Sequence, residues 1–140
     1  LKEIKIASLH SNQFNWPDIL IPIPMHKSKT MIRGFNQADL IANFLSKKLT
    51  IPVAKKIILK TKKTETQAQL NKKERIKNLE GSLSISKKVS KNDFLKGKHI
   101  ALVDDVMTTK ATSELASKLL LESGAKQVDV WCLARTPKVK

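Results

Sequence analysis

The stretch His99-Ile-Ala-Leu-Val-Asp-Asp-Val-Met-Thr-Thr-Lys-Ala-Thr112 decides the fold of this chain. Ile100 to Val103 is continuously apolar, as a central parallel strand covered on both faces requires. Asp104 and Asp105 follow at the expected end of that strand, where open α/β sheets place their ligands. A turn carrying the hydroxyls of Thr108, Thr109 and Thr112 then leads into a helix. The backbone N–H groups of such a turn, with the positive end of the helix dipole, favour an anion. These residue types in this order point to a sugar carrying a phosphate. The alternative is an ordinary strand–turn–helix with solvated aspartates.

Outward from this stretch, strands and helices alternate. Asp18 to Pro24 is apolar and β-branched, and its prolines place the end of a short strand near Pro22. A polar, basic loop spans His26 to Arg33. A helix is expected from about Asn36 to Leu49, with Leu40, Ile41, Phe44, Leu45 and Leu49 on one apolar face. Asn36 suits an N-cap, and Asp39 puts a carboxylate in the first turn. Val53 to Leu59 reads as a second strand and Gly81 to Ile85 as a third. After the Thr-rich turn, a helix ends at Ser123 with Ala111, Leu115, Ala116, Leu119 and Leu120 inward and Gly124 as its stop. Val128 to Ala134 is a further strand. This β-α-β recurrence with short connections argues a mainly parallel sheet flanked by helices, in one domain over 1–140. Residues 60–80 differ. They are rich in Lys, Thr, Gln and Asn without apolar periodicity, and read as a basic flexible loop of functional length.

Composition narrows the partners. The 140 residues carry 27 Lys and Arg against 12 Asp and Glu, a net charge of +15. Residues 55–77 alone hold nine Lys and Arg against two Glu. A basic concentration of this kind attracts polyanions, nucleic acid first, though it also fits a surface simply decorated with Lys. With no Tyr and 4% aromatic residues, a base-stacking platform is hard to build, so binding would rest on the backbone. No apolar run approaches the ~20 residues of a membrane span. Cys132 is the single cysteine, which leaves no disulfide framework or Cys-based zinc site within the chain, and its apolar run makes it a small buried core residue. The chain does not begin with Met and is read as a fragment, of a protein expected in the cytoplasm.

Four segments together carry a family resemblance. They are Ile21-Pro-Ile-Pro-Met-His26, Arg33-Gly-Phe-Asn-Gln-Ala38, Thr66-Gln-Ala-Gln-Leu70 with Glu74, Arg75 and Asn78, and Val103-Asp-Asp-Val-Met-Thr-Thr109. In order and spacing they resemble the ComF family, phosphoribosyltransferase-like competence proteins of bacteria, over residues 18–136. The last segment is similar to the phosphoribosyl-pyrophosphate (PRPP) motif of type I phosphoribosyltransferases. The resemblance implies a type I phosphoribosyltransferase-like α/β fold. It implies that Asp104 and Asp105 hold the ribose diol of PRPP, and that Thr108, Thr109, Lys110, Ala111 and Thr112 surround its 5′-phosphate. Pro24, Met25, His26 and Arg33, with Lys27 and Lys29, would meet the pyrophosphate. Gln67 and Arg75 would lie on a loop closing over the ligand. Asn36 reads as a cap more than a ligand contact, and Gln37 is undecided. Magnesium is expected to arrive with PRPP and not through protein ligands. No catalytic residue is assigned.

Two features depart from the family. Many members begin with a cysteine-rich zinc-binding segment, which this chain is expected to lack. Lys110 stands where Gly is usual. Gly permits φ > 0 and close backbone approach to phosphate, whereas Lys adds an ammonium in its place. The resemblance implies a PRPP-binding factor in natural competence, handling incoming single-stranded DNA. The alternative is an active phosphoribosyltransferase passing the phosphoribosyl group to a nitrogen nucleophile with release of pyrophosphate. A third reading, favoured by Lys110, is an interaction module for other competence proteins. A homodimer is a further expectation.

Overall fold

The computed structural model describes residues 15–24, 36–60, 81–107 and 111–135. Strand β1 is Ile19–Pro22, helix α1 Gln37–Leu49, β2 Ile58–Lys60 and β3 Leu83–Ile85. Helix α2 is Lys87–Lys91, β4 His99–Met107, α3 Ala111–Glu122 and β5 Gln127–Arg135. Strands β1, β4 and β5 form a parallel sheet in the order β1-β4-β5, so the apolar run seen in the sequence is the central strand. Parallel pairing forces each connection to cross over, and α3 makes the crossover from β4 to β5.

Strand alternation sorts the core into two layers. Ile19, Ile21, Ile100 and Leu102 share one cluster with Ala116 and Leu120 of α3 and with Ile58 and Leu83 of β2 and β3. Leu20, Ala101 and Val103 share the other with Ala42 and Leu45 of α1. Each fully buried Leu or Ile here contributes about 1.5–3 kcal/mol relative to exposure. The two clusters require β4 to be apolar at every position from Ile100 to Val103, and the sequence is.

Helix α1 occupies the expected range, and Asn36 caps it by accepting a bond from the Ala38 N–H at 3.0 Å. Its buried face keeps Leu45, with Ile41 and Leu49 packed beside it, but is centred on Ala38 and Ala42 and not on Leu40 and Phe44. Ala38, Ala42 and Leu45 face the sheet, whereas Leu40 and Phe44 are half exposed. Small side chains at Ala38 and Ala42 let the helix lie close over the β-branched sheet, and that close approach outweighs the larger apolar residues. Helix α3 ends as expected. The Gly124 N–H donates to the Leu121 carbonyl and the Ala125 N–H to the Leu120 carbonyl, both at 3.1 Å. This is the Schellman pattern, with Gly124 at φ +107°.

Three other expectations need correction. The 53–59 segment is not one strand. Val53 makes a single parallel bridge to Leu20, and only Ile58–Lys60 forms β2, because Lys56 at φ +61° breaks the extended run. Strands β2 and β3 pair antiparallel as a separate two-stranded sheet. Cys132 is half-buried and not a core residue. Beside it Trp131 meets Trp16 edge to face, with ring centroids 6.5 Å apart. Helix α2 was not foreseen. The expected loop at 60–80 lies largely outside the described residues.

Candidate functional site

The acidic pair does not sit where β4 ends. Strand β4 runs on to Met107, paired with β5 through Asp104↔Cys132, Val106↔Ala134 and Met107↔Arg135. What ends at that level is β1, whose last paired residue, Pro22, faces Val103. The longer strand follows from β5, which stays in register for its whole length. Asp104 and Asp105 therefore lie on a stretch of β4 beyond the end of β1, at a step in the C-terminal edge of the sheet. Asp104 is half-buried there.

The start of the loop after β1 is held against this step. The Ile23 N–H donates to the Val103 carbonyl at 2.8 Å. The Ile23 carbonyl in turn accepts from Nδ2 of Asn36 at 3.0 Å. One side chain thus caps α1 and anchors the chain where it leaves β1. Pro24, the first residue assigned to pyrophosphate, begins the loop directly after this anchor and is half-buried.

Two helices start at the same edge. Helix α1 begins after the loop that follows β1, and α3 begins at Ala111, just beyond the end of β4. The strand and the helix read from the sequence are present, and the residues between them, 108–110, lie outside the described residues. Thr112 is half-buried in the first turn of α3, and Ser113 beside it is buried. The positive dipole ends of two helices at one edge favour an anion.

Pro24, Asp104, Asp105, Ala111 and Thr112 are thus brought to one edge. Met25, His26, Arg33, Gln67, Arg75, Thr108, Thr109 and Lys110 lie outside the described residues. Among the described residues, no three His, Cys, Asp or Glu side chains are gathered to hold a metal, and no helix is long and apolar enough to cross a membrane.

Two polar relationships had no sequence signal. The Asn36–Ile23 bond links positions 13 apart in the chain. At the opposite end of β4, Nε2 of His99 lies 2.6 Å from Oδ2 of Asp129, and the His99 N–H donates to Asp18 at 2.8 Å. These bonds tie the first residue of β4 to the third of β5 and to the entry of β1.

The same chain pattern occurs in known proteins. Competence protein F of Haemophilus influenzae is 42% identical over 125 residues, covering 89% of this chain and 53% of that protein. DNA utilization protein YhgH of Escherichia coli K12 is 36% identical over 120 residues, 86% of this chain and 50% of that protein. Competence protein ComFC of Bacillus subtilis is 35% identical over 125 residues, 86% of this chain and 47% of that protein. The chain spans about half the length of the curated relatives it matches. No family model matches it. Among solved structures, a purine phosphoribosyltransferase of Pyrococcus horikoshii superposes with a TM-score of 0.54 at 21% identity, over 96% of this chain and 68% of that one. A hypothetical protein of Neisseria gonorrhoeae with bound ppGpp superposes with a TM-score of 0.57 at 20% identity, over 98% and 64%. At these identities the likeness establishes the fold, which is that of type I phosphoribosyltransferases.

Proposed function

The chain belongs to the ComF family of competence proteins, and on that premise we propose that it binds PRPP and acts in natural competence, handling incoming single-stranded DNA in the cytoplasm. The observation that carries this reading is the step in the sheet, where Asp104 and Asp105 extend past β1 toward the start of α3. A diol needs acceptors and a phosphate needs N–H donors, and the two stand in sequence along one edge. In this reading Asp104 and Asp105 accept from the ribose hydroxyls, and residues Thr108 to Thr112 surround the 5′-phosphate. Pro24, Met25, His26 and Arg33 line the pyrophosphate, and Gln67 and Arg75 close over it.

Magnesium fits this arrangement as a companion of the ligand. Two adjacent backbone positions with carboxylate side chains do not make a protein cage, and Mg²⁺ keeps most of its coordination for water and phosphate oxygens. When bound it would neutralise pyrophosphate charge. The relatives' names, competence protein and DNA utilization protein, support the cellular role.

The test is genetic. Asp105→Asn, placed in the full-length protein of a naturally transformable host, should lower transformation frequency at unchanged protein abundance. Undiminished transformation would remove the ligand site from the competence role.

A further inference from the structure

We propose that single-stranded nucleic acid binds at the N-terminal edge of the sheet, along α2 and the Asn92–Lys98 segment, at the end opposite the PRPP site. The proposal rests on the DNA-handling reading above and gives it a surface.

The chain concentrates cations at this edge. Lys87, Lys88 and Lys91 are carried on α2, and Lys96 is exposed on the segment leading to β4. Lys98 precedes the first residue of β4, and Lys126 precedes the first residue of β5. The Lys126 N–H donates to the Lys98 carbonyl at 2.9 Å, which brings the two segments side by side. The Gly97 N–H donates to the Gly124 carbonyl at 2.9 Å and fixes the same junction. Among the described residues, none of these six lysines is held in an ion pair. Nearby carboxylates are fewer. Asp129 is occupied by His99 and Asp18 by the His99 N–H. Asp93 and Glu122 line a groove of about 460 Å³ with Lys96. Their carboxylates repel phosphates from the groove itself and present acceptors to base amino groups.

An aromatic ring stands in this lysine field. Phe94 is 38% exposed although its neighbour Leu95 is buried in the core. Nζ of Lys98 lies 5.3 Å from the Phe94 ring centroid. A base on the ring and its phosphate on the ammonium are contacts of a single nucleotide. Single-strand binding combines such stacking with a basic track, and tolerates any base because every base has a π-face. A duplex, with its bases already stacked, has no use for the ring. The site differs from the sequence expectation, in which scarce aromatic residues left only backbone binding. One exposed Phe beside a lysine is sufficient for one stacking position.

Geometry separates the two sites. From His99 to Asp104 the strand rises about 17 Å at ~3.3 Å per residue. A phosphoribosyl ligand at the C-terminal edge therefore leaves the N-terminal edge open.

The experiment measures anisotropy of a labelled 20-nucleotide oligo-dT titrated with the chain at low salt. Three variants are compared with the native protein, each checked for an unchanged melting temperature. Phe94→Ala should weaken binding about five-fold or more, the lower end for one base–ring stack. Lys91→Glu/Lys96→Glu should weaken it by about ten-fold or more, and flatten the log–log salt slope by ~0.7 for each phosphate left without its lysine. Lys47→Glu/Lys48→Glu makes the same charge change at the end of α1, on the other face of the sheet, where Lys48 also stands over an exposed ring, Phe44, at 5.7 Å but away from the lysines of α2 and of the Lys98–Lys126 junction, and it should act weakly. Native binding with equal affinity in the first two variants overturns this surface and leaves the DNA-handling reading standing. Equal losses in both double variants also overturn it, since net charge alone would then be read. No binding by the native chain overturns the surface and the DNA-handling reading together.

Discussion

The Ile23 N–H donates to the Val103 carbonyl at 2.8 Å, one residue past the last paired position of β1. This bond sets Pro24 beside the start of the acidic pair. Two segments about 80 positions apart in the chain are thereby brought to one edge. It is the structural reason that Pro24 and the acidic pair, proposed to meet pyrophosphate and ribose, lie at one edge of the sheet.

Asn36 holds the other end of that residue, and its two roles are separable. Asn36→Ala removes the cap and the bond to the Ile23 carbonyl, and should cost about 1–2 kcal/mol in urea unfolding. Asn36→Ser keeps an acceptor for the cap but cannot reach Ile23 as the amide does. It should recover most of the stability while PRPP affinity stays reduced. Full recovery of both would show that only the cap matters.

Helix α1 offers a direct contrast between size and burial. Ala42→Leu inserts bulk at a fully buried contact with the sheet and should destabilise by about 1–3 kcal/mol. Leu40→Ala, at a half-exposed position, should change stability by no more than about 0.5 kcal/mol. The reverse order of effects in chemical denaturation would restore the face expected from the sequence.

Gly124 stops α3 at φ +107°, and a Cβ there would stand 3.2 Å from the Lys96 Cα. Gly124→Ala should therefore destabilise by about 1 kcal/mol or more, through the backbone and through displacement of the Lys96 segment. A neutral thermal unfolding result would contradict the junction described between α3 and the entry to β4.

Lys110 stands where the resembling family usually has Gly, in the segment proposed to meet the 5′-phosphate. If its ammonium serves the 5′-phosphate, Lys110→Ala and Lys110→Gly should both weaken PRPP binding several-fold, as about 0.5–1 kcal/mol for an exposed charge predicts. A Gly variant that gains affinity while the Ala variant does not would assign the limit to backbone conformation. Pyrophosphate release with a nitrogen acceptor, measured on the same proteins, separates binding from transfer.

The central strand, both long helices and their stops were legible because each rests on local signals: Ile100 to Val103 for burial, Asn36 for a cap, Gly124 for an end. The centre of the buried face of α1 was not. Periodicity weighs Leu40 and Phe44 by apolarity, whereas packing on a sheet selects Ala38 and Ala42 for closeness. Strands at 53–59 and 81–85 were read, but not their pairing as a separate antiparallel sheet, because pairing of such short strands depends on tertiary packing, nor the late start of β2, which Lys56 sets by breaking the run before it. The step at Asp104 was missed for a different reason. Where β4 outlasts β1 depends on the length of a partner strand far away in the chain. The bond from Asn36 to Ile23 is likewise a product of the tertiary fold.

The most direct test is calorimetric titration of Mg²⁺·PRPP into the native chain and the Asp105→Asn variant, with the fold of each verified by circular dichroism. The account predicts saturable binding by the native chain and at least ten-fold weaker binding by the variant, about 1.4 kcal/mol. Equal affinity in a folded variant, or no binding by the native chain, would contradict the assignment of the acidic pair on β4 to the ribose of PRPP.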